Sequence, residues 1–345
     1  MTNNKRTNET HSPLPRLAIV VPCYKEEEVL PETHRQLSTL LEEMTQTGEI
    51  APDSYVLYVN DGSRDGTWCL IENLHHTSRY ACGLNLAGNV GHQNALMAGL
   101  NAVRKECDIA VSIDADLQDD VKAIRAMVAS YKRGNDIVYG VRKERTTDTF
   151  FKRTTALAFY RLMQQMGVNV IYNHADFRLM SRRALEQLSR YRERNLFLRG
   201  LVPLIGYHTD KVYYNRAKRF AGESKYPLRK MLHFAVDGIT SFSVKPVRMI
   251  IWAGCLFILV ALCVVAWTLH SYFVHQTNPG WASLIISIWL VGGCILIALG
   301  VVGEYIGKIC IEVKDRPRYN EEQLLMPHQP EADRSVPVEE DENQQ

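Results

Sequence analysis

Two long apolar stretches near the C-terminus constrain this chain more than any other feature of its sequence. Residues Val247–Val274 and Ala282–Ile309 each contain roughly 20 consecutive residues without a charged side chain, enough to cross about 30 Å of hydrocarbon. Core helices of soluble proteins rarely run this long with apolar residues on all faces. We therefore expect two transmembrane helices, at 247–274 and 282–309, rather than two core helices.

The charges beside these stretches indicate their orientation. The connecting segment His270–Trp281 contains no Lys or Arg, whereas basic residues flank the outer ends of the hairpin: Lys245, Arg248, Lys308, Lys314, Arg316 and Arg318. By the positive-inside rule, both termini and the bulk of the chain are expected in the cytoplasm, on the inner (cell) membrane. Residues 1–15 are polar and lack an apolar segment, so we expect a disordered tail and no signal peptide.

Composition excludes several other classes of protein. The chain has 345 residues, 46% of them hydrophobic, which excludes global disorder. Its 40 Lys and Arg against 38 Asp and Glu leave a net charge of +2, so binding to nucleic acid through bulk charge is excluded. Eight cysteines without a C-x-x-C spacing predict neither a disulfide framework nor a zinc site.

Strand-like and helix-like patterns alternate between about Arg16 and Tyr226. Strands are predicted at 16–24, 54–61, 81–87, 108–116, 136–142 and 207–215, and helices at 31–44, 67–75, 93–105 and 121–132. This spacing predicts an α/β, Rossmann-like domain over 16–226, with a mostly parallel sheet covered on both faces. Ligands of such sheets bind at the carboxyl ends of the strands.

The segments beside the membrane stretches complete the predicted organisation. Residues 150–166 and 227–243 mix basic with apolar and aromatic side chains, and each fits an ordinary helix packed on the sheet. Because the second leads into the first apolar stretch, we predict an amphipathic interfacial helix at 227–246. Residues 310–345 form a polar C-terminal tail that we expect to be disordered from Asp315 onward.

The first two strands end in polar residues. No glycine follows the first strand, where a dinucleotide-binding site needs a G-x-G-x-x-G turn, so a dehydrogenase is not expected. The second strand ends in the segment Asn60–Thr67, which reads NDGSRDGT. Taken alone, this segment fits a turn and helix cap slightly better than a functional site.

The fourth strand ends in a pair of carboxylates, Asp114 and Asp116. Residues two apart on a strand point to the same face, so the two side chains can converge. Their mutual repulsion would be relieved by Mg²⁺ or Mn²⁺, which could also bridge a substrate diphosphate. The alternative is a solvated acidic turn that caps the next helix.

Together, these motifs resemble family 2 glycosyltransferases with the GT-A fold. The similar segments are Val21-Pro22-x-Tyr24-x-Glu26, Asn60–Thr67, Asn89-x-Gly91-His92-Gln93 and Asp114–Asp119. Residues 175–179 (ADFRL) and 219–226 (RFAGESKY), followed by two spans, resemble the polyprenyl-phosphate branch, above all bactoprenol glucosyltransferases and more distantly dolichyl-phosphate mannose synthases. The chain departs from the family at Lys25, where Asn is usual, and at Ala175, where Gly is common.

The resemblance implies roles for individual residues. The implied nucleotide-sugar site comprises Pro22, Tyr24, Glu26, Asp61, Asp114, Ala115, Asp116, Gln118 and Arg142. Within it, Asp116 would be the direct ligand of Mg²⁺ or Mn²⁺, with Asp114 beside it. Asp176 would be the catalytic base, and Arg178, Arg219 and Lys225 would contact phosphates. Arg178 could instead be a structural partner of Asp176, and Lys225 an ordinary interfacial cation.

These roles imply a membrane-anchored inverting glycosyltransferase. It would transfer one sugar, glucose from UDP-glucose, to undecaprenyl phosphate on the cytoplasmic face, and relatives suggest a homo-oligomer, a tetramer. N-acetylglucosamine, mannose and aminoarabinose remain alternative donor sugars, because they differ from glucose in single substituents. Processive polysaccharide synthases share this fold but carry a Gln-x-x-Arg-Trp motif, and no Trp of this chain follows an Arg. A transporter is not favoured either, because the two spans contain no intramembrane charged site. A non-catalytic nucleotide-sugar-binding scaffold is the remaining alternative.

Overall fold

The computed structural model describes residues 14–143, 174–194, 196–215 and 281–327, together with isolated positions between 247 and 270. Eight strands lie in the described part: β1 (Leu17–Cys23), β2 (Tyr55–Asn60), β3 (Ala81–Leu86), β4 (Ile109–Ser112), β5 (Ile137–Arg142), β6 (His174–Ser181), β7 (Thr209–Tyr214) and β8 (Glu321–Leu325). The α-helices are α1 (Leu30–Gln46), α2 (Thr67–Thr77), α3 (His92–Val103), α4 (Ala123–Lys132), α5 (Arg182–Ser189), α6 (Leu198–Leu201) and α7 (Trp281–Val313).

The strands form one sheet in the order β7-β5-β6-β4-β1-β2-β3-β8. Strands β1 to β5 and β7 run in one direction, whereas β6 and β8 are antiparallel to their neighbours. The predicted α/β fold with a mostly parallel sheet is therefore confirmed. Strand β6 was not predicted as a strand, although its residues 175–179 stood out as a motif.

Helices cover both faces of the sheet, as predicted. Alternate strand residues pack with α1, α2 and α4 on one face and with α3 and α5 on the other. Gly99 brings α3 close to the sheet, since a Cβ there would lie 2.4 Å from Val20 Cγ1. The strands are thus packed between two hydrophobic cores, an arrangement that can position a site at their ends.

Helix α7 is long and apolar enough to cross a membrane between Leu290 and Val313. Many of its apolar side chains are exposed, including Leu296 and Ile297. The expected span 282–309 lies within this helix. Of the expected span 247–274, only isolated positions are described, and these are helical.

Several predicted segments lie outside the described residues. These are residues 1–13, the helical candidate at 150–166, the amphipathic helix at 227–246, and the cationic positions Arg219 and Lys225.

The expected disorder from Asp315 onward is wrong for the segment that contains β8. Residues Glu321–Leu325 pair antiparallel with β3, and the Ala87 amide donates a 3.0 Å hydrogen bond to the Asn320 carbonyl. The segment lacks the β-branched pattern of a strand, so an available sheet edge, rather than local propensity, determines its conformation. The chain therefore returns to the sheet after α7.

Candidate active site

The polar residues predicted from the sequence lie at or just after the carboxyl ends of β1, β2, β4 and β5. These ends lie on the same side of the sheet, because the four strands run in one direction. Hydrogen bonds join the loops there: the Asp61 amide donates to the Cys23 carbonyl at 2.9 Å, and the Thr33 hydroxyl to the Ala115 carbonyl at 2.8 Å. Strand β6 is antiparallel to β4, so its beginning, with Asp176, reaches the same edge. The Ser112 hydroxyl fixes it there through a 2.5 Å hydrogen bond to the Asp176 carbonyl.

Asp114 lies in a cluster of carboxyl groups. Desolvation raises the pKa of its carboxyl group to about 6, the charge of His92 lowers it in part, and nearby carboxylates raise it further. The contributing carboxylates are Asp176, Asp119 and Asp116. A cation bound beside Asp114 would stabilise the ionised form of this desolvated carboxylate.

His92 lies between two of these carboxylates. Its Nε2 is 3.5 Å from Asp114 Oδ1 and 3.7 Å from Asp176 Oδ2. Desolvation alone would lower the pKa of the imidazole, but the interactions with Asp176 and Asp114 outweigh it, so the pKa is raised. His92 thus joins the loop after β3 to the acidic residues after β4 and at the start of β6.

Asp176 is held by two arginines. Arg178 donates to its Oδ1 at 2.5 Å, and Arg199 contacts both oxygens, with Nε 3.4 Å from Oδ1 and the Nη2 atom 3.1 Å from Oδ2. Burial would raise the pKa of this carboxyl group, but the charge of Arg199, the interaction with His92 and the charge of Arg178 hold it well below its usual range. Asp176 is therefore ionised at neutral pH and is a weak base.

Arg178 lies behind Asp176, in the interior of the domain. Its side chain is only 1% exposed, and its Nη1 atom donates to the Leu198 carbonyl at 3.4 Å. Its Nε has no hydrogen-bond partner among the described residues. This placement fits a structural partner of Asp176 better than a residue that contacts substrate phosphate.

Arg142 lies on the other side of the acidic loop, where it pairs with Asp119. Its Nη2 atom is 3.0 Å from Asp119 Oδ1, and the Tyr214 hydroxyl donates to the same oxygen at 2.5 Å. Burial opposes the charge of Arg142, but Asp119 and Tyr214 outweigh this effect and raise its pKa. The Arg142 guanidinium is thus fixed next to the Asp114–Asp119 segment, and its contact with a nucleotide sugar stays a prediction.

The Asp61 carboxylate organises the loop before α3. Its Oδ1 accepts the Val90 amide at 2.7 Å and its Oδ2 the Gly91 amide at 3.1 Å. Desolvation raises its pKa, and these two amides partly offset the rise. The residue implied as a nucleotide ligand therefore also holds the backbone of the His92 loop.

Strained backbone occurs at two loops of the site. Lys25 and Leu117 have φ angles of 58° and 55°, in the left-handed region that favours glycine. They follow β1 and β4, and each sits beside residues that the sequence singled out, Tyr24 and Asp116. Strain of this kind persists only where the surrounding structure enforces it, and it clusters at functional sites.

The remaining predicted residues lie in the same region with different exposure. Tyr24 is 46% exposed, Glu26 and Asp116 are partly exposed, and three are buried: Pro22, Ala115 and Gln118. The backbone N–H of Gln118 donates to Asp116 Oδ1 at 3.2 Å. Sequence reasoning gave no role to His92, although it lies in a quoted motif, and it missed Arg199, which no motif marks.

The donor atoms fit a divalent ion that binds together with a substrate. Within the described ranges, no group of three or more His, Cys, Asp or Glu side chains is arranged to hold a metal ion. Mg²⁺ commonly uses one or two carboxylates and completes its coordination with water and substrate phosphates. Asp114 and Asp116 are the two carboxylates that would hold such an ion here.

Comparisons with known proteins agree on one family. A family model described as glycosyl transferase family 2 matches residues 18–189. The uncharacterized glycosyltransferase YkoT of Bacillus subtilis (strain 168) is 55% identical over 306 residues, 88% of this chain and 90% of that protein. The SfII prophage-derived bactoprenol glucosyl transferase of Shigella flexneri is 38% identical over 307 residues, 88% and 96% of the two chains.

Similarity to solved structures is weaker. Glucosyl-3-phosphoglycerate synthase from Mycobacterium tuberculosis, in complex with Mn²⁺, UDP-glucose and phosphoglyceric acid, gives a TM-score of 0.46 at 18% identity. The match covers 66% of this chain and 78% of that one. At this TM-score, no ligand or residue role is transferred.

Proposed function

Since this chain belongs to glycosyl transferase family 2, we propose that it transfers one glucose from UDP-glucose to undecaprenyl phosphate on the cytoplasmic face of a membrane. The relative named bactoprenol glucosyl transferase, 38% identical over nearly its whole length, supports this sugar and this acceptor. The observation that carries the proposal is the joining of Asp114, His92, Asp176 and Arg199 in one cluster at the strand ends. Such a cluster suits a reaction between two phosphorylated substrates.

The donor would bind along the ends of β1, β2 and β4. Tyr24 is exposed beside the left-handed Lys25 and offers an aromatic face to a nucleotide base. Asp114 and Asp116 would hold Mg²⁺ or Mn²⁺, which when bound would neutralise the diphosphate and favour its departure. Arg142, fixed by Asp119, would add a positive charge on the same side.

The reaction would be a single inverting displacement. An oxygen of the acceptor phosphate attacks the anomeric carbon, the bond from that carbon to the UDP oxygen breaks, and UDP leaves with the electron pair. A phosphate monoester has its second pKa near 6, so it is largely dianionic at neutral pH and needs no strong base. The low pKa of Asp176 agrees with an orienting role for this carboxylate.

Two spans would anchor the enzyme, and strand pairing supports an even number. Strands β7 and β8 lie in the same sheet, so residues 215 and 321 must lie on the same side of a membrane. If α7 crosses the bilayer, a second crossing must occur between them, and the apolar stretch 247–274 is long enough to provide it. Both termini would then be cytoplasmic, as the flanking charges predict; the homo-oligomeric state stays a prediction.

The test is a donor screen with the full-length protein in membranes or detergent. Undecaprenyl phosphate is supplied with UDP-glucose, UDP-N-acetylglucosamine, GDP-mannose or UDP-aminoarabinose, and lipid products are identified by mass spectrometry. We expect one hexose on the lipid phosphate with UDP-glucose. Transfer from another donor alone would reassign the sugar, and nucleotide-sugar binding without any lipid product would favour the non-catalytic scaffold.

A further inference from the structure

Arg199 is the outermost of three charged side chains that contact one another in series. Arg178 is 1% exposed, Asp176 10% and Arg199 32%. Asp176 thus connects a buried arginine to one that reaches the surface of the site. A carboxylate that accepts hydrogen bonds from both fixes the plane of the outer guanidinium.

The outer arginine lies at the end of a series of contacts that begins at the donor side. Asp114 contacts His92, His92 contacts Asp176, and Asp176 contacts Arg199. Asp114 is the proposed partner of the donor diphosphate. Two side chains therefore lie between that carboxylate and Arg199 in the series, so Arg199 is placed to bind a phosphate other than that of the donor.

The segment that carries Arg199 is attached to the end of α7. The Arg194 amide donates to both carboxylate oxygens of Glu312, at 2.8 and 2.9 Å, and Arg318 donates to the Tyr191 carbonyl at 2.5 Å. Glu312 is in the last turn of α7, whose candidate span ends at Val313. The headgroup of a lipid beside this helix would lie at the same level, a few residues along the chain from Arg199.

From these three observations we propose that Arg199 binds the phosphate of the lipid acceptor, and that Asp176 is the positioning residue that holds its guanidinium. This proposal rests on the proposed function. The planar fork of arginine holds carboxylates and phosphates through paired hydrogen bonds, so one guanidinium can join Asp176 to the acceptor oxygens. The lipid phosphate would then be placed by a residue tied to the membrane helix.

The test compares Arg199→Ala and Arg199→Lys with wild type in steady-state kinetics, varying acceptor and donor separately. We expect Arg199→Ala to raise the apparent KM for undecaprenyl phosphate by about ten-fold or more, because it removes a contact made by the bound acceptor. Arg199→Lys keeps the positive charge but loses the planar fork, so its KM for undecaprenyl phosphate should lie between those of wild type and Arg199→Ala. Asp176→Asn should shift the acceptor KM in the same direction.

Donor binding is measured without turnover, as the affinity of each variant for UDP-glucose and the inhibition constant of UDP. Both should stay within about two-fold of wild type, since Arg199 is assigned to the acceptor alone. A weakened UDP affinity with an unchanged acceptor KM would instead assign Arg199 to the leaving diphosphate. An unchanged acceptor KM with unchanged donor binding would make the Asp176 pair merely structural; either result overturns the proposal.

Arg133→Ala is the matched control, because Arg133, in the loop between α4 and β5, pairs with Asp210 of β7 at 3.2 Å, outside the site. Its acceptor KM and its affinity for UDP-glucose should both match those of wild type. If Arg199→Ala does not fold, as judged by its melting temperature, Arg199→Lys and Arg199→Gln provide the same comparison. If wild type transfers no sugar to undecaprenyl phosphate from any donor, the proposed function itself is rejected. The Arg199 variants test only the assignment of Arg199 to the acceptor.

Discussion

The imidazole Nε2 of His92 lies 3.5 Å from Oδ1 of Asp114, and it is the cationic group that partly offsets the negative charge around this carboxylate. Desolvation, together with the neighbouring carboxylates, outweighs this offset and raises the pKa of Asp114 to about 6. The metal-free site therefore stores unfavourable electrostatic energy. A cation bound there would release it.

We first predict that Asp114→Asn stabilises the metal-free protein at neutral pH. A folded pKa of about 6 against about 3.9 in the unfolded chain means that ionisation favours unfolding above pH 4. Since the side chain is 37% exposed, solvent screening reduces the gain to about 1 kcal/mol, or a few degrees in melting temperature.

The gain should be full above pH 6 and vanish below about pH 4, where the carboxyl group is protonated in both states. Differential scanning fluorimetry in chelator measures it, with Glu28→Gln as a control for an exposed carboxylate. A lower melting temperature for Asp114→Asn at pH 7.5 would show that His92 stabilises the carboxylate more than its neighbours destabilise it.

A second prediction concerns the metal. Asp116→Ala should leave the protein folded and membrane-bound but reduce kcat by about 100-fold or more, because departure of the diphosphate loses its Lewis acid. Chelator should inhibit wild type similarly, and added Mg²⁺ or Mn²⁺ should restore wild type alone. Full wild-type activity in excess chelator would contradict the assignment.

A third prediction separates an orienting Asp176 from a general base. Asp176→Asn should reduce kcat strongly, because the amide no longer orients the attacking oxygen, and it should also raise the acceptor KM, because Arg199 loses the charge that holds it. Raising the pH should restore little activity, since the acceptor is already ionised above its second pKa near 6. The measurement is kcat against pH from 6 to 9 for both proteins. Recovery of the variant at high pH would identify Asp176 as a base.

A fourth prediction tests β8. Deletion of residues 321–345 should lower the melting temperature by about 5 °C or more and cause self-association, because the edge of β3 loses its partner strand. Deletion of 328–345 leaves β8 intact and is the matched control. Melting curves and size-exclusion chromatography in detergent distinguish the two. Equal stability of both truncations would mean that the β3–β8 pairing contributes nothing.

A fifth prediction concerns topology. A reporter fused after Gln345 should report the cytoplasm, and one inserted near Asn278 should report the opposite side, because the segment His270–Trp281 contains no Lys or Arg. The placement of β8 in the same sheet as β1 supports the first result independently. A cytoplasmic reporter at Asn278 would contradict the hairpin.

The sequence predicted those elements whose signal is local. Strands β1 to β5 and helices α1 to α4 lie within a few residues of their expected bounds, since each is an apolar run or stripe of the correct period. Strand β6 gave a weaker signal because Asp176 and Arg178 interrupt its apolar pattern. These charges are tolerated only because they pair with each other once the strand is in the sheet.

Features that depend on distant partners could not be predicted in this way. Nothing in the segment Glu321–Leu325 indicates that it will pair with β3, whose edge is far away in the sequence. Arg199 resembles any other surface arginine until α6 brings it to Asp176. The position of His92 between two carboxylates likewise depends on α3, β4 and β6 meeting at one edge.

The late position of β8 in the chain has a consequence for biosynthesis. A ribosome releases β3 long before residues 321–325, and α7 emerges between them. During translation, the nascent sheet therefore ends at β3 until the apolar helix has been made. Closure of that edge is the last step in assembling the sheet, so the catalytic domain can reach its final form only after the apolar helix α7 has been synthesised.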